Sequence, residues 1–213
     1  MKNVIVLFGK PGAGKGTRLS EFLQGREEQF EVLSVGNLLR RARQERTELG
    51  KKVEEYIDFG RLVPDEIINE LVLDGIKKSE KNVILDGAPR TVEQAKAMIN
   101  AGINPDKVIN LYVDDELVLY RTSIRITCEK CGESYTTDEF RPPKQKGICD
   151  KCGGKLSKRP DDEEEVVRNR LRVYENQTYA VLDIFSENNV RIITIDNSRP
   201  EKAREELKRV LTN

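Results

Sequence analysis

Short apolar runs and longer amphipathic stretches alternate along most of the chain. Lys2–Phe8 is a β-branched apolar run that ends in glycine, the pattern of a strand buried on both faces of a parallel sheet. Similar runs recur at Asn82–Leu85, Val108–Val113 and Val190–Ile195. Between them, helical patterns cover Lys15–Gln24, Gly36–Arg46, Asp65–Lys78, Thr91–Asn100, Asp115–Ile124, Glu163–Glu187 and Pro200–Leu211. Strands alternating with helices predict an α/β fold built on a doubly wound parallel sheet. Thr127–Lys158 breaks the alternation. It holds four cysteines, four glycines and the pair Pro142-Pro143, lacks a helical period, and reads as a small inserted domain.

The first strand runs into Gly9-Lys10-Pro11-Gly12-Ala13-Gly14-Lys15-Gly16-Thr17, which opens a helix. That setting is the one a phosphate-binding loop requires. Polyphosphate must approach the backbone closely, so side chains are absent and glycines supply the unusual dihedrals. The loop N–H groups and the helix N-terminus present partial positive charge, and Lys15 adds a full one. Gly16 stands where a hydroxyl residue usually follows the lysine, and Thr17 comes one position later. The competing reading is a glycine-rich strand–helix turn that binds nothing.

All four cysteines fall in two pairs, Cys128-x-x-Cys131 and Cys149-x-x-Cys152, with seventeen residues between the pairs. Each pair is followed by glycine. This spacing suits a closed tetrahedral site of four thiolates, with zinc as the first choice and a structural role. An iron centre of rubredoxin type uses similar knuckles, and two disulfides are the non-metal alternative, disfavoured in a reducing compartment.

The chain has 213 residues, enough for one domain of ordinary size carrying small insertions. Lysine plus arginine and aspartate plus glutamate each number 37, so the formal net charge is zero. Nothing global favours nucleic acid or an anionic membrane, and attraction for an anion has to come from locally placed arginines. No stretch approaches the roughly 20 apolar residues of a membrane span, and the start lacks the marks of a signal peptide. A cytoplasmic enzyme is the expectation. Histidine is absent, which excludes mechanisms that need an imidazole.

Taken in order, these motifs resemble the adenylate kinase family, in its long form with a metal-bearing lid. Gly9–Thr17 resembles the family's phosphate loop, including the glycine between Lys and Thr. Ser34-Val35-Gly36-Asn37-Leu38-Leu39-Arg40 and Gly60-Arg61-Leu62-Val63-Pro64-Asp65 resemble the two ends of its monophosphate-binding domain. Leu85-Asp86-Gly87-Ala88-Pro89-Arg90-Thr91 with Gln94 resembles its monophosphate-binding strand end. Arg121, Arg125, Arg159, Asp161-Asp162 and Arg168-Asn169-Arg170 resemble the lid's hinge and arginine set. The resemblance implies a five-stranded parallel sheet and Mg2+-dependent phosphoryl transfer from ATP to AMP, giving two ADP. It also implies a monomer. Core residues would be 1–33, 64–124 and 163–213, the monophosphate domain 34–63 and the zinc-bearing lid 125–162. A kinase for another monophosphate, UMP or CMP, is the nearest alternative. A nucleotide-binding regulator or zinc-stabilised interaction module without turnover is the alternative of another class.

The resemblance also implies roles. Lys15, Arg125, Arg159 and Arg170 would stabilise the transferring group. Gly12, Ala13, Gly14, Lys15, Gly16 and Thr17 would cradle ATP, with Arg121 over its base, Ser134 and Tyr135 near its ribose, and Arg199 in the loop near the adenine. Arg40 and Arg90 would hold the AMP phosphate, with Arg159 and Arg170 shared. Val35, Ile57, Leu62, Val63, Gly87 and Gln94 would surround the AMP base. Asn37, Asp86, Asp161 and Asp162 would lie in the outer shell of Mg2+ or at the hinge. Phosphoryl transfer to an ionised phosphate oxygen needs positioning and charge rather than a general base, so a chain without histidine suffices. Set against these roles, Arg121 and Arg125 also read as surface residues four apart on one helix, and Asp161 equally as a helix-start charge. Val35, Asn37 and Ala88 depart from residues common in the family (Thr, Asp and Phe), and all three lie on the monophosphate side.

Overall fold

The computed structural model describes residues 2–212. Its centre is a five-stranded parallel sheet in the order β2-β3-β1-β4-β8. The strands are β1 (Val4–Phe8), β2 (Phe30–Ser34), β3 (Asn82–Asp86), β4 (Lys107–Tyr112) and β8 (Arg191–Asp196). Side chains along β1 alternate between faces, as a strand's period of two dictates. Val4, Val6 and Phe8 join one apolar cluster, while Ile5 and Leu7 join the other. On the first face pack α2 (Val35–Gln44), α3 (Glu48–Asp58), α4 (Asp65–Lys78), α5 (Val92–Asn100) and α8 (Val181–Glu187). On the second pack α1 (Lys15–Leu23), α6 (Asp115–Ser123), α7 (Glu164–Val173) and α9 (Pro200–Thr212). Burial on both faces explains why the strands read as continuous apolar runs.

The edge strand β2 and helix α3 are additions to the sequence reading. All five β2 residues are only half-buried, so Phe30-Glu31-Val32-Leu33-Ser34 carries a weaker apolar signal than the inner strands. Two predicted helices are corrected. Asp115–Ile124 ends at Ser123, and Arg125 instead begins a strand, paired with Thr136. Arg121 and Arg125 therefore do not share a helix. The continuous helix expected over Glu163–Glu187 is broken by a π-helical turn at Tyr174–Thr178. The wider turn puts both Tyr174 and Thr178 inside, with the Tyr174 ring 5.6 Å from that of Phe8.

The inserted segment forms its own antiparallel sheet, β6-β5-β7, from β5 (Arg125–Cys128), β6 (Ser134–Thr136) and β7 (Leu156–Ser157). Its buried apolar cluster consists of Cys128, Tyr135, Cys149 and Leu156. So small a core does not hold a domain by itself. A 3-10 turn at Pro160–Asp162 leads back to α7.

Candidate functional site

The central strand β1 lies between β3 and β4, so the chain's crossovers diverge at its carboxyl end and open a crevice there. Gly9–Thr17 occupies that point. Gly9 has φ +136°, and a Cβ on it would lie 2.4 Å from the Leu111 carbonyl oxygen, so only glycine passes. The loop lines a cleft of about 670 Å3. Gly12, Gly14, Lys15, Gly16 and Thr17 face it, as do Asn37, Asp86, Gly87, Ser134 and Tyr135. Ala13 lies behind the loop, fully buried.

Arg40, Arg90, Arg125, Arg159 and Arg170 join Lys15 on the cleft wall. Arg141 and Lys151 line it too, against Glu27, Asp86, Glu133 and Asp150, so cations outnumber acids there in a chain of zero net charge. Their partners differ. Arg125 grips the buried Asp162 carboxylate with two guanidinium nitrogens. Asp161 is shared by Arg170 at 3.0 Å and Arg40 at 3.4 Å. Among the described residues Arg159 reaches only Ser134 Oγ, at 3.4 Å, and its Nε is buried without a partner. Arg90 makes no ion pair among the described residues; its backbone N–H donates to Gln94 Oε1 at 2.7 Å.

Charge crowding sets the protonation equilibria. Burial, reinforced by Arg90, Arg170 and Arg125 against Asp86, pulls Lys15 from 10.5 to about 8. Its Nζ donates to the carbonyls of Gly9 at 2.7 Å and Lys10 at 2.9 Å. Burial also lowers Arg170, to about 10, and pushes Arg159 well down, with Arg40 and Arg125 adding to it. For Arg125 burial is outweighed by the bond and charge of Asp162, and the guanidinium is held above its ordinary value. For Asp161 burial is outweighed by Arg170, Arg40, Arg159 and Arg125, which keep it ionised.

A smaller cavity of about 70 Å3 adjoins the cleft. Val35, Arg40, Ile57, Leu62, Val63, Gly87, Arg90, Gln94, Asp161 and Arg170 line it. Nine of the ten residues expected around AMP are among the sixteen that line it; Arg159 is not. Gln94 is buried, and its Nε2 donates to Asp65 at 2.8 Å.

Other expected residues sit differently. Asp161 caps no helix with its side chain; it clamps arginines. Asp86, held by Ser34 Oγ at 3.0 Å, is the carboxylate of the expected magnesium set that faces the large cleft. Asn37 accepts from Arg40 at 2.8 Å and lies beside Gly132 of the lid. Arg121 is half-buried and donates to the Asn197 carbonyl at 2.7 Å, so it is not a solvated surface residue. Arg199 is exposed and lines neither cavity. Sequence reasoning passed over three contributors. Ser20 and Arg141 both donate to Glu133, at 3.0 and 2.7 Å, which ties the lid to α1. Isolated polar residues of this kind carry no motif.

The four cysteine sulfurs lie within 4.8 Å of one another. Cys128 and Cys152 sulfurs are 3.5 Å apart, and those of Cys131 and Cys149 3.6 Å. All four are free thiols, so the disulfide alternative does not hold. Metal–sulfur bonds of about 2.3 Å in a tetrahedron give sulfur–sulfur edges of about 3.8 Å, so the set fits one metal ion. The turns are made by Gly132 N–H donating to Cys128 O at 3.0 Å and Gly153 N–H to Cys149 O at 2.9 Å. Among the described residues no helix is long and apolar enough to cross a membrane.

The sequence profile of the adenylate kinase family matches residues 7–190. An adenylate kinase of Caldicellulosiruptor bescii is 44% identical over 197 residues, 89% of each chain. One of Methanosarcina barkeri is 42% identical over 216 residues, 97% of each chain, and one of Staphylococcus aureus 43% over 203 residues, 92% of each.

Proposed function

The chain belongs to the adenylate kinase family, enzymes that transfer a phosphoryl group between ATP and AMP to give two ADP, and we propose how its cleft divides that work. It is a phosphotransferase of that reaction, and the UMP or CMP alternative is not favoured. The observation that carries the assignment of roles is that Lys15, Arg40, Arg90, Arg125, Arg159 and Arg170 line one cleft with the Gly9–Thr17 loop.

ATP lies along Gly12–Thr17, its terminal phosphates on Lys15. AMP sits with its base in the smaller cavity between Val35, Ile57, Leu62, Val63 and Gln94, and its phosphate toward Arg40 and Arg90. Arg125, Arg159 and Arg170 then surround the group in transit. Planar guanidinium forks match charge spread over equatorial oxygens. Among the described residues the guanidinium of Arg90 has no protein partner and that of Arg159 nearly none, which supports a polyanion as the partner. Arg121 borders the adenine end, with Arg199 nearby only through its backbone.

Mg2+ bound with ATP would supply charge neutralisation at the phosphates. Asp86, with Thr17 and Asn37 nearby, would orient its waters. Asp161 and Asp162 act through the arginines they hold. Zinc is the metal we assign to Cys128, Cys131, Cys149 and Cys152, because a closed four-thiolate site leaves no position for chemistry and the lid needs a staple. The core (1–33, 64–124, 163–213), monophosphate domain (34–63) and lid (125–162) are supported by the lid's separate sheet and by α2–α3 standing as one insertion. Both substrate sites come from a single chain, which supports a monomer. Free thiolates at the metal suit a reducing, cytoplasmic setting.

Coupled assays of ADP formation with AMP, GMP, UMP and CMP test the acceptor, and AMP is expected to be fastest. A faster rate with UMP would refute the acceptor assignment. Lys15→Met is expected to abolish turnover, and full activity in that variant would refute the donor site.

A further inference from the structure

Asn197 opens the loop after β8 and is 2% exposed. Its backbone N–H donates to the Tyr112 carbonyl at 2.9 Å, at the end of β4. Its own carbonyl accepts from Arg121. Its side chain then crosses to the phosphate loop, where Nδ2 donates to the Ala13 carbonyl oxygen at 2.5 Å.

The Ala13 carbonyl and the Gly14 N–H belong to one planar trans peptide unit, so they point in opposite directions. A bond that draws the oxygen toward Asn197 turns the N–H the other way. The flanking peptide units are fixed by other bonds: Ala13 N–H donates to Lys10 O at 3.1 Å, and Gly14 O accepts from Arg18 N–H at 3.0 Å. Among the described residues Gly14 N–H has no protein acceptor, and Gly14 lines the cleft. Gly14 has φ +89°, and glycine's freedom makes rotation of this one unit easy unless something outside the loop holds it. The amide fills the space where a Gly14 side chain would be, 2.7 Å from that Cβ position. Among the described residues Asn197 Oδ1 is buried without a partner, so the side chain's polar contact with the loop runs through its donor.

We infer that Asn197 is a positioning residue, which clamps the Ala13–Gly14 peptide so that the Gly14 N–H donates to the polyphosphate of the donor nucleotide. The inference rests on the reading of Gly9–Thr17 as the ATP site. Asn197 acts through the peptide and touches no phosphate itself. An interaction made equally with bound ATP and with the transition state appears in KM rather than in kcat.

The test uses the full-length, metal-loaded enzyme with Asn197→Ala and Asn197→Asp. Both lack the donor, and the aspartate also sets a carboxylate against the Ala13 oxygen. Losing a hydrogen bond to a charged group predicts a rise in KM for ATP of about tenfold or more for alanine, and a larger one for aspartate. KM for AMP stays within about twofold and kcat within about threefold. An alanine variant whose KM for ATP is unchanged overturns the inference. So does one in which both KM values and the melting temperature move together, the signature of general loosening. Alanine leaves the backbone bonds of residue 197 intact, so its result decides even where the aspartate variant does not fold. If Lys15→Met is inactive while Asn197→Ala binds ATP normally, only the inference about Asn197 fails. If Lys15→Met is fully active, the donor-site reading beneath it fails.

Discussion

Raising the pH from 7 to 9 should weaken ATP binding about tenfold through Lys15 alone. Burial dominates the drop of its ammonium from 10.5 to about 8, and Arg90, Arg170 and Arg125 add to it. Phosphate oxygens placed at Nζ restore a favourable charge partner and bring the group back toward 10.5. Between these two values the free protein is increasingly deprotonated while the complex keeps its proton. Binding therefore takes up protons: about 0.5 at pH 8 and about 0.9 at pH 9, by simple titration of one site. Calorimetry in buffers of different ionisation enthalpy measures that uptake directly. Lys15→Arg, charged throughout the range, removes both the uptake and the slope. Binding of ATP without proton uptake at pH 8–9, or an uptake that survives in Lys15→Arg, would refute the reasoning.

The same linkage has a stability side, with a definite sign. A lysine whose folded value lies below its unfolded value binds fewer protons in the folded state between about 8 and 10.5. The ligand-free protein should therefore gain stability from this group as pH rises through that window, by up to about 3 kcal/mol. Below pH 8 it carries the full cost of a buried ammonium. ATP removes that cost, so the stabilisation conferred by saturating ATP should shrink from pH 7 to pH 10.

Three further outcomes are expected. Asp162→Ala leaves Arg125 without its buried carboxylate and should cost about 3 kcal/mol in urea unfolding; a loss under about 1 kcal/mol would mean the pair is screened. Gly9→Ala sets a Cβ 2.4 Å from the Leu111 carbonyl oxygen, and should cost about 2 kcal/mol or more together with ATP binding; a variant with wild-type stability and ATP affinity counts against the loop geometry. Elemental analysis should find one zinc per chain, and stripping it should lower the melting temperature by about 5 °C or more; an unchanged melting curve after complete removal would rule out a structural metal.

The inner strands, the phosphate loop and the cysteine pairs were legible in the sequence because each is a local pattern with one physical cause. Val4–Phe8 has to be apolar at every position when both faces are covered. Gly9 has to be glycine because Leu111 passes within 2.4 Å of its Cβ position. Nine of the sixteen residues that line the smaller cavity were named together through family resemblance, since Val35, Ile57 and Val63 are unremarkable apolar residues by themselves. What stayed hidden depends on distant partners. β2 is an edge strand with little burial. The break at Tyr174–Thr178 leaves an amphipathic pattern that still reads as one helix. Asn197 meets Ala13 across 184 positions, and no spacing rule reaches that far.

Asp161 and Asp162 explain how so many cations coexist around the cleft, and they do so unequally. Asp162 is fully buried as a side chain and is gripped by two nitrogens of Arg125, an arrangement that fixes both position and plane. Asp161 instead divides one oxygen between Arg170 at 3.0 Å and Arg40 at 3.4 Å, and its Oδ1 is buried without any partner. A phosphate can compete for the two shared arginines far more readily than for Arg125. On the proposed roles, Arg90 and Arg159 are open to substrate from the start, Arg40 and Arg170 must loosen from Asp161, and Arg125 stays in place. Shortening Asp161 to alanine should therefore lower KM for AMP, because Arg40 and Arg170 no longer have to leave a carboxylate to reach the phosphate. It should disturb Arg125 little, since that guanidinium keeps Asp162. If Asp161→Ala left KM for AMP untouched while lowering kcat as strongly as Arg125→Ala, the two aspartates would not act on separate arginines.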